Sequence, residues 1–399
     1  MDRLSRLERL LGPLPSRQES KETNNDIKGL PEGGKWVHEG VYVINKAFPL
    51  PYKHGCTLLD DVGHSALVLE PWGSKGTPVF LDLETTGLAG GSGTYAFLAG
   101  LAYVSDSTLV AKQIFLATPS SEELWLQVLF ESFPKRDVSL VTYNGKSFDW
   151  PMIQTRTILN RKKVPISLLG HLDLLQLVRY LWKEKLENCR LSTVESELLE
   201  VQRTVADVPG WLVPKYYADF LKTGNALPLQ GVFYHNLMDI LSLIALKLKV
   251  SKIVSGSDTE DPEATLKAGD LWAARKRLQE AEKLWGFIAD CNSHLSFEAK
   301  LRLAYWEKKR GNYDVAARLF EECTITLKGP TLINVLIELA KINEHHLKNI
   351  PRAIQFTRHA LAVLDKARPF YDNWTWKKLR NPILHRLERL IRKSNIKRA

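Results

Sequence analysis

Two acids at the end of one apolar strand constrain this chain more than any other feature. Residues 78–84 read PVFLDLE, an apolar run that ends in carboxylates, and Thr85-Thr86-Gly87 follow. Side chains alternate faces along a strand, so Asp82 and Glu84 point the same way. Two neighbouring carboxylates repel, and burying them without a partner is costly. A divalent cation resolves that conflict. An edge strand carrying two solvated acids avoids it. The pair alone leaves both readings open.

The surrounding pattern places the pair in a sheet. Residues 35–70 hold short β-like runs, WVHEGVYVI and SALVLE. A Gly-rich turn at 87–93 follows the acids, and TYAFLAGLAYV and STLVAKQIFL predict two more strands. Residues 122–133 predict a helix, 138–143 a strand and 148–161 a helix. Three strands, helix, strand, helix imply a mixed sheet with helices packed on it. Further helices are expected at 174–183, 191–200 and 228–250.

Two later segments carry chemistry-bearing residues at element boundaries. Asn144-Gly145-Lys146-Ser147-Phe148-Asp149 follows the strand VSLVTY and opens a helix, with Pro151 in a tolerated first-turn position. By itself Asp149 reads as a helix cap. His235-Asn236-Leu237-Met238-Asp239 lies inside the helix expected at 228–250. His235 and Asp239 are four apart and share a face, which by itself fits a surface pair.

Taken in order, strand acids, Asn and Asp at a helix start, and His and Asp on a later helix resemble the DEDD exonuclease branch of the ribonuclease-H-like superfamily. More specifically, the chain looks like the YprB-type ribonuclease-H-like family. The supporting segments, in order, are DLETTG, YNGKSFDWPMI, GHLDLLQLVRYLW, CRLSTVESELLEVQR, DVPGW and YHNLMDILSL. The resemblance covers roughly residues 35–250. It implies an α/β fold with a mixed five-stranded sheet flanked by helices.

The resemblance also implies a function: a metal-dependent nuclease, most simply a 3′–5′ exonuclease that releases 5′-phosphate nucleotides. The metal ligands would be Asp82, Glu84, Asp149 and Asp239, holding two Mg²⁺ or Mn²⁺ ions, with Asp82 bridging them. His235 would accept the proton of the attacking water. One departure bears on His235. Histidine-type enzymes of the superfamily have four residues between the base and the last Asp, whereas three separate His235 from Asp239. That is the tyrosine-type spacing, and Tyr234 does not match it. Thr85, Asn144 and Lys146 are candidate substrate contacts. Arg156, Arg161, Lys162 and Lys163 could track a strand backbone. Asp173 has no assigned role. Trp211, Tyr216 and Tyr217 could stack on bases, or pack in a core. The alternatives are a structure-selective endonuclease of the same fold, or a weakly active nucleic-acid-binding scaffold.

Beyond residues 251–263, a Ser-, Gly- and Asp-containing linker, the chain becomes helical and loosely self-similar. Gly269-Asp270 with Ala274, Gly311-Asn312-Tyr313 with Ala316, and Asn349-Ile350-Pro351 with Ala353 align at separations of 42 and 37 residues. Helix-pair repeats have periods of about 34 residues or more, and RGNYDVAARLFEECTI resembles a tetratricopeptide repeat. The expected organisation is a polar leader at 1–34, the nuclease domain at 35–250, the linker, and a tetratricopeptide-like domain at 264–399 that could also meet a protein partner.

Charge and cysteine usage narrow the partners. The chain carries 55 Lys+Arg against 45 Asp+Glu, a net of +10. Residues 1–250 hold 27 of each sign and 251–350 hold 15 of each, so the whole excess lies in residues 351–399, with 13 basic and 3 acidic. Such a tail points to a polyanion such as DNA or RNA, or to a solvated helix surface. No apolar run reaches the roughly 18 residues that span a bilayer, which argues against a membrane. Four scattered cysteines without a CxxC pair argue against a zinc ribbon or a secreted disulfide scaffold, so a cytoplasmic protein is expected.

Overall fold

The computed structural model describes residues 27–396, apart from 61, 88–92, 205 and 292. Most of the expected leader, and the middle of the Gly-rich turn, lie outside the described residues. Two compact units are present. The first comprises the described residues through Val178 together with Glu184–Leu248. The second comprises Arg179–Lys183 and the residues from Lys249 onward.

The first unit is built on a sheet in the order β1-β2-β7-β6-β5-β8-β9. Its strands are β1 (Gly34–His38), β2 (Val41–Pro49), β5 (Thr77–Thr85), β6 (Ala96–Ser105), β7 (Thr108–Leu116), β8 (Val138–Thr142) and β9 (Leu168–Asp173). A small separate ribbon joins β3 (Tyr52–His54) and β4 (Thr57–Leu59). The β5–β8 and β8–β9 pairs are parallel and the other pairs of the large sheet antiparallel, so the sheet is mixed as expected.

It has seven strands rather than five. The β1–β2 hairpin runs along β7, from Val41↔Leu116 to Pro49↔Thr108, and buries Val41, Val43 and Ile44. The run SALVLE is a second correction: Val62–Val68 is a helix, α1, not a strand. A short apolar run does not distinguish the two. Here the carbonyl of Val62 and the hydroxyl of Ser65 receive the buried Lys247 ammonium.

Helices α2 (Glu122–Glu131), α3 (Asp149–Leu159), α4 (Leu174–Trp182), α5 (Leu191–Leu198), α6 (Val213–Thr223) and α7 (Leu229–Ser255) follow. Leu81, Leu83, Leu98, Phe115, Trp125, Leu140, Ile153, Tyr217 and Phe233 belong to one core. On β5, Leu81 and Leu83 face that core, so the alternation turns Asp82 and Glu84 to the other face. Helix α7 runs to Ser255, so the irregular part of the expected linker is only residues 256–261.

The second unit contains α8 (Pro262–Ala274), α9 (Leu278–Asp290), α10 (Ser296–Arg310), α11 (Tyr313–Cys323), α12 (Gly329–His345), α13 (Ile350–Lys366) and α14 (Asn373–Ile396). The first two-helix pair aligns differently from the sequence expectation. The turns that join α8 to α9, α10 to α11 and α12 to α13 each place a positive-φ residue, Lys276, Gly311 or Lys348, before the helix cap. Four residues after each cap stands a fully buried alanine: Ala281, Ala316 and Ala353. The repeats are therefore 35 and 37 residues long. Gly269 lies inside α8, where the Trp285 indole packs against it and leaves no room for a Cβ.

Candidate metal centre

Strand direction brings the acids together. β5, β8 and β9 are parallel, and their C-terminal ends carry Asp82 and Glu84, the 143–149 segment, and Asp173. Crevices outside the carboxyl ends of such strands are where open α/β sheets place ligands. β5 outruns β8: their pairing stops at Phe80↔Val141. The Leu83 amide beyond that point is taken by Asp149 Oδ1 at 3.1 Å. Asp149, at the start of α3, is thus stitched to the strand that bears the other two acids.

The loop leading to Asp149 is held by Asp173. Its Oδ1 accepts from the amides of Asn144 (2.8 Å) and Leu175 (3.2 Å), and its Oδ2 from Lys146 (3.3 Å). Asn144 adopts positive φ there, and the side chains of Asn144 and Lys146 stand at the surface. Thr85 is mostly buried and its hydroxyl donates to the Gly87 carbonyl, so it serves the turn.

Helix α7 covers the strand. Asn236 is fully buried and its Nδ2 donates to Asp82 Oδ2 at 2.9 Å. Its Oδ1 accepts from Gln113 of β7 at 3.0 Å. Asp82, Gly100 and Gln113 lie in one row across β5, β6 and β7. Asn236 fills the space above Gly100 that a Cβ would take. One turn on, Asp239 Oδ2 lies 3.5 Å from His235 Nε2. Glu84, His235 and Asp239 offer ligand atoms that all lie within 4.8 Å of one another.

The electrostatics reflect crowding. Burial raises Asp82 well above the usual carboxylate range, and Asp239, Glu84 and Asp149 add repulsion. Burial pushes Glu84 to about 7, with His235 and Arg203 opposing it and Asp239 and Asp149 adding to it. Asp149 also reaches about 7 through burial, against the pull of its amide bonds. Burial works against charging His235, but Asp239 and Glu84 outweigh it and its pKa is raised.

Three further residues complete the centre. Arg203 sends Nε and Nη2 to Glu195, both at 2.8 Å, and Nη2 also to Asp239. Its Nη1 lies 2.8 Å from His235 Nδ1. Asp207 Oδ1 lies 2.8 Å from that same ring nitrogen. Glu195, Arg203 and Asp207 fall in CRLSTVESELLEVQR and DVPGW, segments whose order was informative although no chemistry was read from them. Nothing in the local sequence marks Glu195 or Arg203 as buried.

Other candidates sort differently. Arg156 is buried in an ion pair with Glu122 at 2.5 Å, and Lys162 pairs with Glu123, so that helix end is not a row of unpaired cations. Tyr217 stacks on Phe97 in the core, whereas Trp211 is 74% exposed. In the second unit, Glu344 is buried and receives Arg386, Arg389 and Lys393 at 2.7–2.8 Å. Part of the basic excess is thus committed inward. The four cysteines are free thiols, and no helix among the described residues is long and apolar enough to cross a membrane.

Comparison with known proteins agrees with this architecture. Residues 79–251 match the RNase_H superfamily. The chain is 36% identical over 330 residues to "Uncharacterized protein YprB" of Bacillus subtilis (strain 168), covering 79% of each chain.

Proposed function

Because the chain belongs to the YprB-type family of the RNase_H superfamily, we propose that it is a metal-dependent nuclease that removes nucleotides from the 3′ end of DNA or RNA. The observation that carries this reading is the meeting of Asp82, Glu84, Asp149, His235 and Asp239 at the ends of parallel strands, with three ligand atoms within 4.8 Å. Divalent metal fits these residues. Buried carboxylates raised by burial and mutual repulsion are relieved by a cation. Oxygen donors beside one imidazole suit Mn²⁺ or Mg²⁺.

Asp82, Glu84 and Asp239 would hold one ion, and Asp82 and Asp149 a second. Bound ions supply charge neutralisation at the scissile phosphate and acidify a water. The chain's own groups do the rest. Asn236 fixes the Asp82 carboxylate, and Asp173 shapes the loop that presents Asn144 and Lys146 to the substrate backbone. His235, with Asp207 at Nδ1, offers Nε2 as the acceptor of the water proton. A nucleic-acid-binding scaffold with little turnover is the second reading, favoured by the hold of Arg203 on Asp239.

The test uses 5′-end-labelled single- and double-stranded DNA and RNA with Mg²⁺, Mn²⁺ or chelator. A ladder shortening from the 3′ end in metal supports the proposal. Internal cuts would make the protein an endonuclease. Salt-sensitive binding without cleavage would favour the scaffold.

A further inference from the structure

The centre already contains a cation. All three nitrogens of the Arg203 guanidinium face acids or His235, and its side chain is only 13% exposed. Glu195, 2% exposed, fixes its orientation through a two-bond fork, the geometry that guanidinium favours with carboxylates. The contacts continue through the centre: Arg203 donates to Asp239 Oδ1, and Asp239 Oδ2 lies 3.5 Å from His235 Nε2. The charge of Arg203 reaches further, opposing ionisation of His54 and favouring that of Glu84. Arg203 is therefore bound to the Asp239 carboxylate, which also belongs to the Glu84–His235–Asp239 group.

We infer that Arg203 is the resident counter-cation of the carboxylate centre, and that it competes with a divalent ion for Asp239. The inference rests on the metal-dependent reading above.

Two opposite effects of Arg203 on metal affinity have to be weighed. As a clamp on Asp239 and His235 it would orient ligands, and outer partners of this kind change metal affinity about 10–100-fold. As a positive charge it repels a divalent ion and neutralises a ligand. A guanidinium bonded to one of the ion's own ligands is close enough that, at an effective dielectric constant of about 20, its repulsion of a double charge exceeds what the clamp contributes. Charge therefore wins over orientation. Removing the guanidinium strengthens metal binding even though it weakens the metal-free fold, because Glu195 and Asp239 lose their shared partner.

The test is Mn²⁺ titration of the full chain, by calorimetry and by the electron paramagnetic resonance signal of free Mn²⁺, in wild type, Arg203→Met, Arg203→Gln and Arg203→Lys. The expected result is Mn²⁺ bound roughly tenfold tighter or more in the Met and Gln variants, with Lys close to wild type. Mn²⁺ should also raise the unfolding temperature of the Met or Gln variant more than that of wild type. Gln keeps hydrogen-bonding capacity if Met does not fold. Unchanged or weaker Mn²⁺ binding in the neutral variants would overturn the inference and leave Arg203 a clamp. Absence of Mn²⁺ binding in wild type and all variants would instead overturn the metal-dependent reading itself.

Discussion

Substituting Gly100 by Ala isolates the device that orients Asp82. Gly100 has no left-handed backbone to protect, so alanine fits the strand locally. The obstacle is across the sheet face: a Cβ would lie 2.8 Å from Asn236 Nδ2 and closer still to Oδ1. Asn236 is fully buried between Asp82 and Gln113 and cannot withdraw without breaking its bonds to both. Overpacking costs about 1–3 kcal/mol, and leaving the buried amide unpartnered costs about 1–3 kcal/mol more. Gly100→Ala should therefore destabilise the unit by about 2–6 kcal/mol. In an Asn236→Ala background the clash is gone, and the same substitution should cost under about 0.5 kcal/mol. The assay is a double-mutant cycle from urea unfolding, followed at the transition that Mn²⁺ shifts. Additivity of the two substitutions within about 0.5 kcal/mol would refute the reasoning.

Other expectations follow from the same geometry. Glu84 and Asp149, raised to about 7, keep protons in the metal-free fold that the unfolded chain releases near pH 4. Their stabilising contribution is present below that value and is lost as pH rises through 7. From pH 6.5 to 8 each carboxylate should remove about 1 kcal/mol of stability in chelator, offset by about half that for each of His54 and His171, which the fold holds at about 4 while the unfolded imidazoles lose their protons near 6.5; the net fall, restored by Mn²⁺, is checked by calorimetry. Asp173→Asn should cost about 1–3 kcal/mol by weakening three amide bonds, and should lower turnover by loosening the 144–146 loop; a melt and a cleavage rate check both. Lys377→Glu with Arg392→Glu, both exposed, should weaken oligonucleotide binding and reduce its salt slope, measured by fluorescence anisotropy across salt. These reversals are cleaner than deleting residues 377–399, which would strip buried Glu344 of three cations.

The acids were legible in the sequence because the strand period states where they point. Asp82 and Glu84 stand opposite Leu81 and Leu83 as alternation requires. The order of elements from β5 to α3 was equally legible, since each has its own apolar period and breaker. Legibility failed where long-range pairing decides. The β1–β2 hairpin belongs to the sheet because β7 is there to receive it, which no local pattern states. The first repeat was misaligned because a Gly-Asp pair inside α8 mimics the Gly-Asn turn before α11, whereas the true turn uses Lys276 at positive φ. Arg203 and Asp207 were missed for a related reason: a charged residue between helices looks solvated until α7 brings Asp239 and His235 beside it.

The basic tail also changes meaning. Its excess charge first suggested a polyanion surface, yet Glu344 draws Arg386, Arg389 and Lys393 onto α12 and α14 packing. The cations left for a nucleic acid are the outward ones of the second unit, whereas the acids belong to the first.

Cleavage of a 5′-end-labelled oligonucleotide in Mn²⁺ by wild type and by the Asp82→Ala/Asp149→Ala variant tests the central claim most directly. The account predicts metal-dependent shortening from the 3′ end by wild type, its loss in chelator, and its loss in a double variant that still binds the oligonucleotide. Undiminished cleavage by the double variant would contradict it.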